Sequence, residues 1–259
     1  MAVRTLSPRL PSDEPTRPVF PRGRKPTWLV GLVAVFAILP VVIAVVDDRL
    51  GLRLVMAALA VTILGAAVCL HVLFGTIRDR TLRVDDTAPG LWFRPAAAAT
   101  AVPFGLGALL VLPAVAQVVA DAAELETLDS FLLTRGPYAI ALLGLGVVVV
   151  TVVRLREPAG LRLTPAGLVG IRGRGRVQWG WDDLETVDVG SGPVAMLTLV
   201  PAGGGPRVEA PPLALGGDPN QVATVVRYFH AHPGERALLT AGGPDAVRAV
   251  DDALRARER

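Results

Sequence analysis

The chain has 259 residues, enough for one or two domains, and 52% of them are hydrophobic while only 5% are aromatic. With a mean hydropathy of +0.50, this balance argues against a large aqueous core and for helices embedded in a membrane. The net charge of +3 is carried almost wholly by arginine, Lys25 being the one lysine, and is read as compositional bias with no nucleic-acid partner; Cys69 stands alone, which excludes an internal disulfide and a cysteine-based metal site.

Residues 1–26 carry Pro8, Pro11, Pro15, Pro18, Pro21 and Pro26 and show no apolar periodicity, so a disordered Pro/Arg-rich cytosolic tail is expected. Its "PTRP" and "PVFP" fit the spacing of a P-x-x-P ligand, as do most proline-rich tails. The apolar run that follows is longer than the roughly 7–15 residues of a signal-peptide core, lacks an A-x-A site and is followed by further apolar blocks. It therefore reads as a membrane span.

Four blocks reach the roughly 17–25 apolar residues that cross a bilayer as a helix: Trp28–Val46, Leu54–Phe74, Ala97–Val119 and Pro137–Val153. Hydrocarbon offers backbone groups no water, so helix is the form that satisfies them. Pro40, Pro103 and Pro113 are candidate kinks in the first and third blocks. Arginines then set the orientation. Arg4, Arg9, Arg17, Arg22, Arg24 and Lys25 precede the first block; Arg78, Arg80, Arg83 and Arg94 lie between the second and third; Arg154, Arg156 and Arg162 follow the fourth. The other connections hold Arg49 and Arg53, and Arg135 among acids. Basic loops stay inside, so both termini and the C-terminal region are expected in the cytoplasm of a cell inner (plasma) membrane protein.

"LRVDDTAPGLWFR" (82–94), between the second and third blocks, is echoed by "LRLTPAGLVGIR" (161–172) after the fourth. Each starts Leu-Arg, turns through a proline and Gly-Leu, and closes a short apolar strand on arginine. A degenerate duplication and convergence on the same turn chemistry both account for this. A lone hairpin is marginal in water. Leu82–Val84 or Leu91–Phe93 is therefore expected to pair with, or pack against, the C-terminal sheet, leaving Trp92 at least half buried as the candidate docking residue.

From residue 160 the pattern is β: "LRLT" and "GLVGIRG" around Pro165–Gly167, "RVQWGW" after "GRG", then "LETVDV", "VAMLTLV" and "RVEA". In "LETVDV", Val187 and Val189 share one face and Thr186 and Asp188 the other, while Leu184 and Glu185 spoil the alternation. The period then changes. Asp218 is a helix N-cap with Pro219 at the first helical position, Val222, Val225, Val226 and Phe229 form an apolar helical face, and "HPGERALL" and the C-terminal tail add further helix.

Strands in a meander followed by a packed helix make an α+β domain. "GLRLTPAGLVGIRGRGRVQWGWDDLETVDV" and the helix that follows, over residues 160–239, resemble the bacterial pleckstrin-homology-like (PH-like) domains at the cytosolic end of multi-pass membrane proteins, on the paired turns, the "W-x-W-D-D-L" entry and the closing "H-P-x-x-R". The helical half resembles small actinobacterial membrane proteins. The resemblance implies a β-meander or barrel closed by an amphipathic helix and brings no catalytic residues with it.

Chemistry has little support in the sequence. No G-x-S-x-G nucleophile motif is present, the glycines of "GIRGRGR" lack the helix and lysine of a phosphate loop, and His230 and His232 lack the i,i+4 spacing of a zinc pair. Asp182 and Asp183 read as a backbone-bonding bend. The acidic "DAAELETLD" reads as a solvated helix extension, with cation binding as the second possibility. The spans hold few ionisable groups, His71 at one end among them, which argues against a proton or ion path. Gly144, Gly146 and the alanines of the third block suit close helix packing. Trp179 and Trp181 read as core.

The reading is a four-span membrane protein whose domains are a tail (1–26), a membrane region (27–156) carrying the hairpin 82–94, and a cytosolic PH-like domain (160–259). It acts as a binding or scaffolding module for a protein partner, a second copy or anionic lipid, with no enzyme activity, cofactor or metal; the alternative is an accessory subunit or small transporter. Arg172, Arg174 and Arg176 alternate at a hairpin, where anionic lipid would contribute about 1 kcal/mol per arginine. A solvated charged tip is the competing reading.

Overall fold

The structure, a computed structural model of the chain, describes residues 3–6, 10, 19–20, 27–77, 80–85, 89–127, 130–156, 159–171, 175–190, 194–257 and 259. The chain divides into a helical unit, Pro26–Gly75 with Ala97–Arg156, and a β-rich unit, Met1–Lys25 with Thr76–Ala96 and Glu157–Arg259. The hairpin placed with the membrane region by sequence thus belongs to the β-rich unit.

The helical unit contains α1 (Thr27–Val35), α2 (Ile38–Val46), α3 (Leu50–Thr76), α4 (Ala97–Ala122) and α5 (Phe131–Leu155). Among the described residues four stretches are long and apolar enough to cross a membrane: Thr27–Val46, Leu50–Thr76, Ala97–Ala122 and Thr134–Leu155. Phe36, Leu39, Val45, Leu142, Leu143 and Val149 are each more than half exposed. Apolar surface of this extent suits hydrocarbon and not water. With its β-rich unit, the chain is a multi-pass integral membrane protein carrying a soluble domain.

The first span is broken between α1 and α2. Pro40 has no N–H for the carbonyl of Phe36, and the chain tightens there through Phe36 N to Val33 O and Ala37 N to Ala34 O. Pro103 and Pro113 leave α4 continuous. At Pro113 the missing donor would have met the carbonyl of Leu109, and the Thr62 hydroxyl of α3 reaches that oxygen at 2.8 Å, and Ala58 O at 2.9 Å. A neighbouring hydroxyl thus satisfies a carbonyl orphaned by proline. Helices α4 and α5 meet where side chains are absent: a Cβ on Gly107 would lie 2.5 Å from Val148 Cγ2, and one on Gly144 would lie 2.7 Å from Gly107 O. Gly146, expected to share this role, has nothing within 4 Å of such an atom.

The acidic segment after α4 does not extend the helix. Glu124 adopts φ 50°, with Leu125 N bonded to Ala120 O and Glu124 N to Asp121 O, a left-handed helix stop. Glu126 O then accepts from Leu52 N. Residues 128–129 lie outside the described residues.

In the β-rich unit, β1 (Val3–Leu6), β2 (Leu82–Asp85), β3 (Leu91–Phe93), β4 (Leu161–Thr164), β5 (Gly167–Gly170) and β6 (Val177–Gly180) form one antiparallel sheet in that order. A second sheet contains β7 (Leu184–Gly190), β8 (Met196–Pro201) and β9 (Val208–Ala210). The short α6 (Pro212–Leu215) leads to α7 (Pro219–Ala231), a 3₁₀ stretch (Pro233–Thr240) and α8 (Gly243–Arg257). "HPGERALL" is therefore 3₁₀ and not α-helix. Sheets and helices share one core, in which Leu82, Phe93, Leu163, Leu168, Leu197, Leu199, Val226 and Phe229 are fully buried.

Two expectations are corrected, and a third feature is explained. Among the described residues no closed barrel forms; the strands make two separate sheets of six and three. The tail is not wholly without structure, since Val3–Leu6 pairs along β2, and Leu10, Val19 and Phe20 are buried. Leu10 N donates to the buried Gln221 Oε1 of α7 at 3.2 Å, and Ala195 N to Val19 O at 3.1 Å. The broken alternation at Leu184–Glu185 is a β-bulge, because pairing with β8 slips between Leu184 and Thr186. Beyond it Val187 faces the core and Asp188 faces out.

Candidate functional site

The alternation within the six-stranded sheet defines its two faces. Leu82 and Val84, Leu91 and Phe93, Leu161 and Leu163, and Leu168 and Val177 point into the core. Their neighbours Arg83, Trp92, Arg94, Arg162, Val169, Arg176 and Gln178 must take the opposite face. Registers align them in a row: Asp85 opposite Trp92, Trp92 opposite Arg162, Arg162 opposite Val169, Val169 opposite Gln178.

Trp92 is more than half buried on this face. Its indole Nε1 donates to Ala159 O at 3.0 Å, and the Arg94 guanidinium sits 5.2 Å from its ring centroid. Gly160 (φ 90°) makes this approach possible: a Cβ there would strike the carbonyl of Phe93 and lie 3.1 Å from Trp92 Nε1. Arg94 Nη1 also reaches Asp85 Oδ2 at 2.7 Å, the Asp85 side chain being fully buried and that of Arg94 31% exposed. Arg162 Nε donates to Pro89 O at 2.8 Å, holding the turn between β2 and β3. Arg176 is exposed and reaches Gln178 Oε1 at 3.3 Å. Arg172 and Arg174 lie outside the described residues.

The three-stranded sheet differs in charge. Its outward row is Asp188, Thr198 and Glu209, and each acid has an arginine beside it: Arg227 Nη2 at 3.6 Å from Asp188, Arg207 Nε at 3.3 Å from Glu209. On the six-stranded face four guanidinium groups (Arg83, Arg94, Arg162 and Arg176) stand against one carboxylate, Asp85, among the described residues.

Other candidate groups have structural duties. Asp183 Oδ2 accepts from Gly180 N at 2.9 Å, closing the bend after β6. Trp181 is core, its Nε1 donating to Thr164 O at 2.9 Å and its ring lying 5.0 Å from the Arg236 guanidinium. Arg236 in turn caps α7 by donating to Phe229 O at 3.0 Å. His232 is partly buried and stacked on Tyr228 with centroids 4.5 Å apart. The Tyr228 hydroxyl donates to Glu235; burial, and then this carboxylate, push the phenol up to about 12. Across the helical unit, Arg49 grips Asp47 through two bonds of 2.9 and 3.0 Å, and that hydrogen bonding holds the Asp47 carboxyl below its usual range. Among the described residues no three His, Cys, Asp or Glu side chains converge as metal ligands.

Sequence reasoning placed Trp92 on the docking hairpin and missed Arg83, Arg94 and Arg162. The signal was present in "LRV", "LWFR" and "LRL", where each arginine or tryptophan alternates with a buried residue. Which strands lie side by side was the missing information. No family model, curated protein or solved structure matches the chain.

Proposed function

We propose that the protein is a membrane-anchored binding or scaffolding module without enzyme activity, whose cytosolic PH-like domain engages a protein partner or anionic lipid. One observation carries the reading: strands from before the first span, from between the second and third, and from after the fourth share one sheet. A sheet occupies a single compartment, so the N-terminus, the hairpin and the C-terminal domain lie on one side of the bilayer. The arginine-rich connections make that side the cytoplasm. The PH-like assignment is supported by two antiparallel sheets with α7, whose buried residues include Val222, Val225, Val226 and Phe229, packed in the common core.

Topology is tested by cysteine labelling in intact cells, in a background with Cys69→Ser. A probe at Glu126 is reached and a probe at Gly204 is not; labelling of both, or of Gly204 alone, overturns the orientation. Capture of a stoichiometric partner by the full chain supports the module. Substrate flux through the purified protein in proteoliposomes instead supports a transporter.

A further inference from the structure

We infer that the outward face of the six-stranded sheet, centred on Trp92 and Arg162 with Arg83 and Arg94 beside them, binds the headgroups of anionic phospholipids. The inference rests on the membrane-anchored reading above and gives that module a ligand. Its first support is charge: the face carries four guanidinium groups against one carboxylate among the described residues, whereas the acids of the other sheet's outward row are matched by arginines. The second is chemistry. A guanidinium offers a planar fork of donors that fits the oxygens of a phosphate, and an indole with one polar edge favours the headgroup level of a bilayer.

The third support is preorganisation. Trp92 is fixed by its bond to Ala159 O, and Arg162 by the bonds of its Nε and Nη2 to Pro89 O, so neither side chain has to be ordered when a headgroup arrives and Nη1 is the Arg162 nitrogen that meets it. The Arg162 guanidinium and the Trp92 ring lie on directly paired residues of β3 and β4. These strands come from segments on either side of two membrane spans. A headgroup bound there would touch both at once. The sequence candidates Arg172 and Arg174 are not needed for this site.

The test uses the full chain in liposomes and the Trp92 component of fluorescence, taken as the difference between the wild type and Trp92→Phe. Phosphatidylglycerol or phosphatidylcholine brominated in the acyl chains is titrated in as quencher. The site requires that the brominated anionic lipid quenches Trp92 at a lower mole fraction than the neutral one. Arg83→Gln should raise that mole fraction about fivefold, the worth of one arginine at an anionic surface, and Arg83→Lys should raise it less. Arg162→Gln provides a second reading, with melting followed by circular dichroism to exclude unfolding. Equal quenching by both lipids, or mole fractions unchanged in folded Arg83→Gln and Arg162→Gln, overturns the site. Reversed cysteine labelling with the lipid preference intact would overturn the cytosolic module and leave the headgroup site standing; correct labelling with no lipid preference does the opposite.

Discussion

The Thr62 hydroxyl of α3 stands 2.8 Å from the carbonyl oxygen of Leu109 in α4, the oxygen that Pro113 leaves without its helical donor. A proline in the middle of a span is tolerable because a different helix supplies the hydrogen bond. Thr62→Val keeps the shape and removes the donor. It is expected to destabilise the helical unit by roughly 0.6–2 kcal/mol, the range for interhelical bonds in membranes, read from unfolding in mixed detergent micelles. Thr62→Ser retains the donor and should stay near the wild type; a wild-type Thr62→Val would remove this role.

The contact between α4 and α5 rests on Gly107 and Gly144. Alanine at either position meets backbone or a β-branched side chain at 2.5–2.9 Å. Overpacking of this kind costs about 1–3 kcal/mol, so Gly107→Ala and Gly144→Ala should lower the thermal midpoint of the detergent-solubilised protein. Gly146→Ala, with open space around it, should not. Equal effects at Gly144 and Gly146 would contradict the packing described.

Asp218 does two jobs. One carboxylate oxygen accepts from Asn220 N at 2.9 Å and caps α7, while the other accepts from Arg80 N at 2.9 Å and holds the segment that leads into β2. Asp218→Ala is expected to cost about 1–2 kcal/mol for the cap alone, with faster amide exchange at Asn220 and also at Arg80. Exchange that quickens only at Asn220 would mean the second job is unimportant.

Tyr228 sets a limit on alkaline stability. Burial, and then the Glu235 carboxylate, push its phenol from the ordinary value of 10 up to about 12. The stability this raised value represents is fully present below pH 10 and is lost as pH rises toward 12. In Tyr138→Phe, where Tyr228 is the remaining tyrosine, tyrosinate absorbance should develop together with unfolding. Ionisation near pH 10 in the folded state would refute the burial and the bond to Glu235.

Much of this was legible from hydropathy and alternation, because both are properties of single segments. The spans, the Asp218 cap and the inward leucines of 82–94 and 161–170 follow from periods of 3.6 and 2 residues. What escaped depends on partners distant in the chain. "VRTL" is a strand because β2 offers it an open edge, and nothing within the proline-rich tail announces that edge. The bond from Thr62 to the carbonyl that Pro113 orphans escaped likewise, since its donor lies 47 residues away on another helix. The stacking of His232 on Tyr228 escaped because it depends on a helix end that bends into 3₁₀. The arginines of the sheet face are unremarkable one by one and form a row only after β3 is set beside β4.

The shared sheet also orders events during synthesis. Strand β3 is made and must wait for β4, which emerges only after two more spans have been produced. At about 5–20 residues per second, that interval lasts several seconds. Throughout it, the apolar face of the hairpin and the open edge of β3 are unsheltered and available to chaperones or to other nascent chains. A ribosome that stalls in the third or fourth span, or a helix pair that inserts the wrong way round, leaves β4 unable to arrive. Completion of the sheet therefore requires β3 and β4 to end in one compartment, and a chain in which they do not leaves both strand edges exposed.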